Sequence, residues 1–514
     1  MQKLPLGIQT FSEIITENYL YVDKTQYIYS LITSGKVYFL SRPRRFGKSL
    51  LISTLEALFR GEKALFKKLW IYDKWDFKEY PVIKLDFLGL DINSPDDLKD
   101  YITRNLMRIA EIYKLKINKY TPYTERFYDL IVALAKKNKV VVLIDEYDKP
   151  IIDFIKDREK AITHREVLRH FYSVMKKADE FIKFIFLTGV SKFSKTSVFS
   201  GLNNLRDLTV ESKYAAMLGW TYEELTTYFA DFLDELGKKI CLEKDDLMKS
   251  VEEWYNGYSW DGLHKVYNPF SILSLFIKQE FSNYWFATGT PTFLVDLIRD
   301  KEYNLPGLEN LIAGNELLDS FDADNMAIEA LLFQTGYLTI QEIVRDGLKQ
   351  YLILNYPNFE VKESLLNHLV ASYIDKPVGA SDIIFLQMRK DLETRNIQAF
   401  FEKLEGIIMG IPYNIIVEKE VYYSSLLYTI LALVGIRAEF EVQTAIGRLD
   451  AQIEFKNIIY IFEFKYDKSA QEALDQIIRM RYRDKYKGSN KDIILLGVCF
   501  NRKAKSIEYI MRQE

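Results

Sequence analysis

Four short apolar runs constrain this chain more than any other feature: "KVYFLS" from Lys36, "YPVIKLDF" from Tyr80, "KVVVLIDE" from Lys139 and "IKFIFLTG" from Ile182. Each has the length of a strand and is rich in β-branched or aromatic residues. Helix-length segments separate them. Strands that are apolar throughout, rather than at alternate positions, are buried on both faces, which predicts βαβ units and a parallel sheet with helices on either side. The chain's 514 residues exceed one ordinary core, so two to four domains are expected.

The first run leads into "SRPRRFGKS", Ser41 to Ser49, and then into a helical stretch "KSLLISTLEALFRG" that ends at Gly61. Gly47-Lys48-Ser49 closes a phosphate-binding loop in its proper setting, between a strand and a helix. The helix N-terminus directs N–H groups at phosphate. Lys48 then reaches the β and γ oxygens, and the Ser49 hydroxyl holds Mg²⁺. The loop departs from the pattern in one place, because Arg42 stands where the first glycine is expected. Asp145 and Glu146 end the third run, where Asp145 would orient the water shell of Mg²⁺ and Glu146 would polarise an attacking water. Thr188, near the end of the fourth run, is placed to sense a γ-phosphate. Ligands of open α/β sheets gather at these strand ends. The expected nucleotide site therefore comprises Arg44, Arg45, Phe46, Gly47, Lys48, Ser49, Asp145 and Thr188. The absence of N-K-x-D favours ATP over GTP. Arg44 and Arg45 either neutralise the triphosphate, touch a neighbouring domain or are solvated loop charges.

A second constellation lies in "IGRLDAQIEFKNIIYIFEFKYD". Two strands flank Lys456-Asn457, the length of a two-residue hairpin loop. With Phe455 paired to Ile458, Asp450 falls opposite Glu463, and Lys465 shares their face. The other face collects Leu449, Ala451, Ile453, Phe455, Tyr460, Phe462 and Phe464, which locks the register, since a slip of one residue would expose it. Glu439, Glu441 and Gln443 of the preceding strand join the acidic face. Paired carboxylates repel unless a cation lies between them, and Mg²⁺ takes such oxygen ligands. The alternative is a solvated sheet face of mixed charge.

Between these regions, residues 220–335 are expected to be mostly helical, with aromatic clusters at "EEWYNGYSWDG" and "SNYWFATGTP". Two strands then meet near Asp346-Gly347, a hairpin signal. They form either a winged-helix-like module or a plain connector. The expected borders are a nucleotide-binding domain over 1–215, a helical lid over 216–335, a hairpin and helical connector over 336–400 and an α/β domain over 401–514.

The net charge of −3 gives no global case for a nucleic-acid or membrane partner. Two cysteines, Cys241 and Cys499, argue against a disulfide framework, and four histidines make no zinc spacing with them. No charged and apolar leader is visible at the N-terminus, and the longest apolar run, Leu426 to Ile436, is too short to span a bilayer. It reads as a buried helix. A soluble, cytoplasmic protein is expected.

"YVDKT", "SRPRRFGKSLLISTL", "VVLIDEYDKP", "FLTGVSKFS" and "FSGLNNLRDLT" together resemble the bacterial AAA-ATPase-like family, whose members usually carry a C-terminal nuclease-like domain of the PD-(D/E)XK superfamily. The resemblance makes Arg42 a family trait and implies that Asp23 and Lys24 lie near the nucleotide. It also implies the fold: an N-terminal P-loop sheet, a helical middle region and a restriction-endonuclease-like α/β domain. Asp450, Glu463 and Lys465 match the D…E-x-K signature. In that signature the carboxylates hold Mg²⁺, and the lysine positions or deprotonates the attacking water and offsets charge on the phosphorane. A helix with Glu418 and Glu420 matches the superfamily's first helix, with Glu420 supporting the metal site, and Gln476 matches its helix glutamine. The run Arg479, Arg481, Arg483, Lys485 and Lys487, with Tyr482 and Tyr486 between, either follows a phosphate backbone or is a solvated helix end. Arg206 is a candidate arginine finger. The implied function is an ATP-binding AAA-like ATPase coupled to a Mg²⁺-dependent nuclease acting on DNA, with self-association left open. The alternative is an ATP-gated scaffold whose nuclease-like domain binds without cutting; a small-molecule kinase fits less well, because Glu146 follows Asp145.

Overall fold

Internal contacts divide the chain into two units, Met1–Gly289 with Leu311–Val361 and Thr290–Asn310 with Lys362–Glu514. The computed structural model describes residues 1–514 except 90–91, 119, 156, 193–197, 200–201, 203, 286–291, 302, 320–326, 412–419, 435–436, 444–447, 456, 487–489, 502–505 and 514. For 292–293, 300, 318–319, 420–422, 424, 437–443 and 448–449 it describes the backbone alone.

In the first unit the four apolar runs become β1 (Val37–Ser41), β2 (Val82–Asp86), β3 (Val140–Asp145) and β4 (Ile182–Gly189). They form a parallel sheet in the order β2-β3-β4-β1, with the two-residue β5 (Arg206–Asp207) added beside β1. Every residue of β1 and β3 is buried, as strands covered on both faces require. This order sets the C-terminal ends of β3, β4 and β1 side by side. Helix α1 (Thr25–Ser34) precedes β1, and α2 (Lys48–Phe59) follows it after six residues. Three longer helices are α3 (Pro95–Ile112), α4 (Tyr123–Ala135) and α5 (Arg158–Lys177). A capping box between Ser94 and Asp97 starts α3, and Phe127 of α4 stacks on Phe171 of α5 at 4.4 Å.

The helical region follows as α6 (Tyr222–Tyr228), α7 (Ala230–Ile240), α8 (Lys244–Tyr255) and α9 (Pro269–Lys278). These pack around Leu225, Phe229, Leu236, Val251, Tyr255 and Ile272. After α10 (Ile328–Thr335) comes the expected hairpin, β7 (Thr339–Asp346) against β8 (Lys349–Asn355). A strand not foreseen from local patterning, β6 (Leu311–Gly314), pairs with the other edge of β8.

The second unit contains α11 (Asp382–Glu393), α12 (Ile397–Met409) and α13 (Glu420–Leu433). The apolar run beginning at Leu426 lies in α13, where Leu426, Leu427, Tyr428, Ile430 and Leu431 are buried. A five-stranded sheet follows in the order β13-β12-β11-β10-β9: β9 (Arg437–Gln443), β10 (Arg448–Glu454), β11 (Ile458–Tyr466), β12 (Asp492–Asn501) and β13 (Ser506–Gln513). Only β11 and β12 run parallel, and α14 (Ala470–Arg479) is the crossover between them. Ala473, Leu474 and Ile477 of α14 are buried, and Leu474 and Ile477 pack on Ile459, Ile461 and Leu495 of the sheet. Among the described residues no helix is long and apolar enough to cross a membrane.

Candidate functional site

The phosphate loop joins β1 to α2. Gly47 is the N-cap of α2 with φ +90°, a left-handed conformation that a side chain disfavours. Arg45, with φ 71°, is left-handed without being glycine. Lys48 is buried; its Nζ donates to the Pro43 carbonyl at 3.1 Å and lies 3.6 Å from Glu146 Oε1. Glu146 is itself left-handed, with φ 50°, so the turn after β3 carries backbone strain where its carboxylate meets the loop lysine. Asp145 is buried at the end of β3, and burial pushes its pKa up to about 6 against the opposing influence of the Ser49 hydroxyl and Lys48. Asp86, in register with Asp145 on β2, is also pushed up by burial.

The remaining residues named from sequence have other partners. Thr188 is fully buried and gives its O–H to the Leu40 carbonyl at 2.9 Å, so sensing a phosphate would require that bond to open. Phe46 is buried against Tyr258 and Trp260, with ring centroids 4.8 and 5.4 Å away. Arg44 and Arg45 are exposed; the Arg45 guanidinium sits 4.4 Å over the Phe270 ring, and the Arg44 carbonyl accepts from the Trp285 indole at 3.1 Å. Asp23 and Lys24, implied by the resemblance to lie near the nucleotide, have partners within the fold. The Asp23 carboxylate takes the Thr25 and Trp70 amides, and the Lys24 ammonium is held by Glu224 at 2.6 Å and the Ala216 carbonyl at 2.8 Å. Arg206 makes a two-pronged pair with Glu211 at 2.8 and 2.6 Å, so as an arginine finger it would first have to leave a partner of its own chain.

Sequence reasoning passed over Asp148, and it noted Arg42 only as a departure from the glycine pattern, without a partner for its side chain. Asp148 is fully buried, and its Oδ2 accepts from the Val190 and Ser191 amides at 3.1 and 2.6 Å. Burial raises its pKa, and the nearby Glu146 adds to the rise. Gly189 lies against the Asp148 carboxylate, where a Cβ has no room. The "DEYDKP" and "LTGVS" segments thus interlock; the third acidic letter of the first was the available signal.

The second constellation forms at β10 and β11. Their ladder pairs Ala451 with Phe462 and Ile453 with Tyr460, and Phe455 bonds to Ile458 across the turn, the expected register. Asp450 Oδ2 accepts the Phe464 amide at 2.8 Å. Glu463 Oε1 accepts Lys465 Nζ at 3.0 Å, whereas its Oε2 is buried with no hydrogen-bond partner among the described groups. Burial raises the Glu463 pKa, the Asp450 charge raises it further, and Lys465 and Gln476 oppose. The face is not a solvated one: Glu463 is 1% exposed, because α14 covers the same side of β11. Gly497, paired with Glu463, permits this. A Cβ there would sit 2.5 Å from the Leu474 amide nitrogen and closer still to the Ala470 carbonyl oxygen.

Gln476 stands near Glu463 and the Tyr482 hydroxyl. Tyr482 is buried and Tyr486 packs on the same core, so neither presents a free ring, while Arg479, Arg481, Arg483 and Lys485 are exposed. Glu418 and Lys487 lie outside the described residues, as do the side chains of Glu420, Glu439, Glu441, Gln443 and Leu449 and the Lys456 position.

Both sites fit a hard cation in donor chemistry: a hydroxyl beside a buried carboxylate at one, and two carboxylates with an unpartnered oxygen at the other. Among the described residues no group of three or more histidine, cysteine or carboxylate side chains forms a metal cage. Mg²⁺ is commonly bound by one or two carboxylates, with waters and substrate phosphates completing its shell.

Residues 5–199 match the family model described as predicted AAA-ATPase, and residues 418–509 match that of the PD-(D/E)XK nuclease superfamily. Over 98% of both chains, the protein is 40% identical to the "Uncharacterized protein in vnfD 5'region" of Azotobacter chroococcum mcd 1. The chain belongs to the predicted AAA-ATPase family, with a C-terminal domain of the PD-(D/E)XK nuclease superfamily. The AAA-ATPase match spans β1 to β4 and the phosphate loop, and the nuclease match runs from α13 into the first half of β13.

Proposed function

We propose that this chain binds and hydrolyses ATP at the loop after β1 and cuts DNA at the carboxylate pair of β10 and β11. The observation that carries the reading is the buried, unpartnered Oε2 of Glu463, beside Asp450 and Lys465, within a nuclease-superfamily match. An orphaned buried carboxylate oxygen is costly unless a ligand completes it.

At the nucleotide site, Lys48 releases the Pro43 carbonyl and takes the β and γ oxygens. Glu146 draws a proton from the attacking water, and Arg44 and Arg45 offset triphosphate charge. At the second site, Lys465 as an ammonium orients the attacking water, or as the neutral amine takes its proton, while the water oxygen bonds to phosphorus; the resulting ammonium offsets phosphorane charge as the P–O bond to the leaving oxygen breaks and that oxygen takes a proton from solvent. Mg²⁺, held by Ser49 and Asp145 at one site and by Asp450 and Glu463 at the other, would supply electrophilic stabilisation of phosphate charge. The exposed Arg479, Arg481, Arg483 and Lys485 supply a basic approach for the nucleic-acid backbone, and Gln476 stands beside Glu463.

The test is ATPase and plasmid-cleavage assays on one preparation, with Lys48→Ala and Asp450→Ala as separate controls. Phosphate release lost only in Lys48→Ala and cleavage lost in Asp450→Ala support the reading. ATP binding with no cleavage of any nucleic acid in Mg²⁺ or Mn²⁺ favours the scaffold alternative instead.

A further inference from the structure

In the usual phosphate loop the position of Arg42 is a glycine, and the residues after it are free to follow phosphate. Here five consecutive loop residues are tied to residues of the same unit between Thr209 and Trp285 and to Gly336. The Arg42 side chain is 1% exposed, and its Nη1 donates to the Ser41 and Thr209 carbonyls at 2.8 Å each. Its Nη2 reaches the Tyr214 carbonyl at 3.4 Å, and the guanidinium carbon lies 3.9 Å over the Trp260 ring. Among the described residues no carboxylate hydrogen-bonds to this cation, although the charges of Asp207 and Asp261 favour it. Carbonyls and a π face hold it, a geometry that suits the planar fork of arginine and not an ammonium. Pro43 fills the space where Gly336, at φ +89°, has no Cβ. The Arg44 carbonyl takes the Trp285 indole N–H, Arg45 covers Phe270, and Phe46 inserts between Tyr258 and Trp260.

We infer that Arg42 is a positioning residue of the nucleotide site: a latch through which the 209–214 segment and Trp260 set the shape of the phosphate loop. The inference rests on the ATP reading above. Its consequence is linkage. A nucleotide that reshapes the loop then also moves the aromatic face of Tyr258, Trp260 and Trp285, and a ligand on that face changes nucleotide affinity by the factor by which nucleotide changes its own. Substituting the motif glycine back at position 42 therefore harms the site instead of repairing it.

The test is Mg-ATP binding by calorimetry, together with tryptophan emission and steady-state ATPase kinetics, on wild type, Arg42→Gly, Arg42→Lys and Trp260→Leu. Arg42→Gly is expected to weaken binding and raise KM about tenfold while kcat at saturation stays within about threefold, because loop positioning is lost and not the chemistry. Arg42→Lys, with the charge but not the fork, recovers only part of the affinity, and Trp260→Leu weakens binding and loses most of the nucleotide-dependent emission change. A folded Arg42→Gly with wild-type affinity and emission overturns the inference; if that variant does not fold, wild-type affinity in Trp260→Leu does so. Wild-type protein that binds no Mg-ATP overturns the ATP reading itself, a separate outcome.

Discussion

Arg42 and Glu463 are each 1% exposed, and the structure accommodates their charges differently. The Arg42 guanidinium is surrounded by carbonyls and an indole, and burial still lowers its pKa to about 9. Glu463 has one oxygen on Lys465 and one on nothing described. Glu463→Gln removes a buried charge, so in Mg²⁺-free buffer its melting temperature is expected to match or exceed that of wild type. Its DNA cleavage should fall roughly 10²-fold or more, the scale for losing one charge-stabilising group in the transition state. A variant that melts lower and still cuts contradicts the assignment. Glu360 is a third buried charge. It accepts the Trp285 amide and the Ser271 hydroxyl, and burial lifts its pKa to about 7. Its contribution to stability is full below the unfolded value of 4.5 and is lost as pH rises through about 7, on the order of 3 kcal/mol. Urea unfolding of Glu360→Gln between pH 5 and 8 should therefore show a flatter profile than wild type, and parallel profiles would refute it.

At the scale of elements, two close approaches shape the sites. Gly497 lets the backbone of α14 lie on the sheet beside Glu463. Gly497→Ala pushes Cβ into backbone atoms that cannot rotate away. We expect it to destabilise by about 1–3 kcal/mol and to lose cleavage, read by denaturant titration alongside plasmid assays. Asp148→Ala would leave the Val190 and Ser191 amides without their acceptor, at about 1–3 kcal/mol, and should lower ATPase activity more than ATP affinity. The strands behind these elements were legible in sequence, because unbroken apolar runs and period-two alternation are local signals. The β10–β11 register was legible too, since Ala451, Ile453, Tyr460 and Phe462 face one core. The burial of the opposite face was not, because it depends on how α14, which begins just after β11 ends, folds back over Ile459 and Ile461 as the crossover to β12, and alternation within one strand does not encode that. Arg42 was opaque for the converse reason: a charged loop residue is ordinarily solvated, and nothing local announces carbonyls some 170 residues away.

For the whole molecule, one chain is proposed to carry two chemistries, at a phosphate loop in the first unit and at a carboxylate pair in the second. That Thr290–Asn310 belongs with the second unit is a matter of long-range contact that local patterning does not encode. Separated function is the expected behaviour: Lys48→Ala loses ATP turnover and keeps its fold, and Asp450→Ala keeps ATP turnover. The most direct test of the central claim is cleavage of plasmid DNA by purified wild-type and Asp450→Ala protein in Mg²⁺, with ATP present. Nicked or linear product is expected with wild type and none with Asp450→Ala; equal cleavage by the two would contradict the assignment of Asp450 to the cutting site.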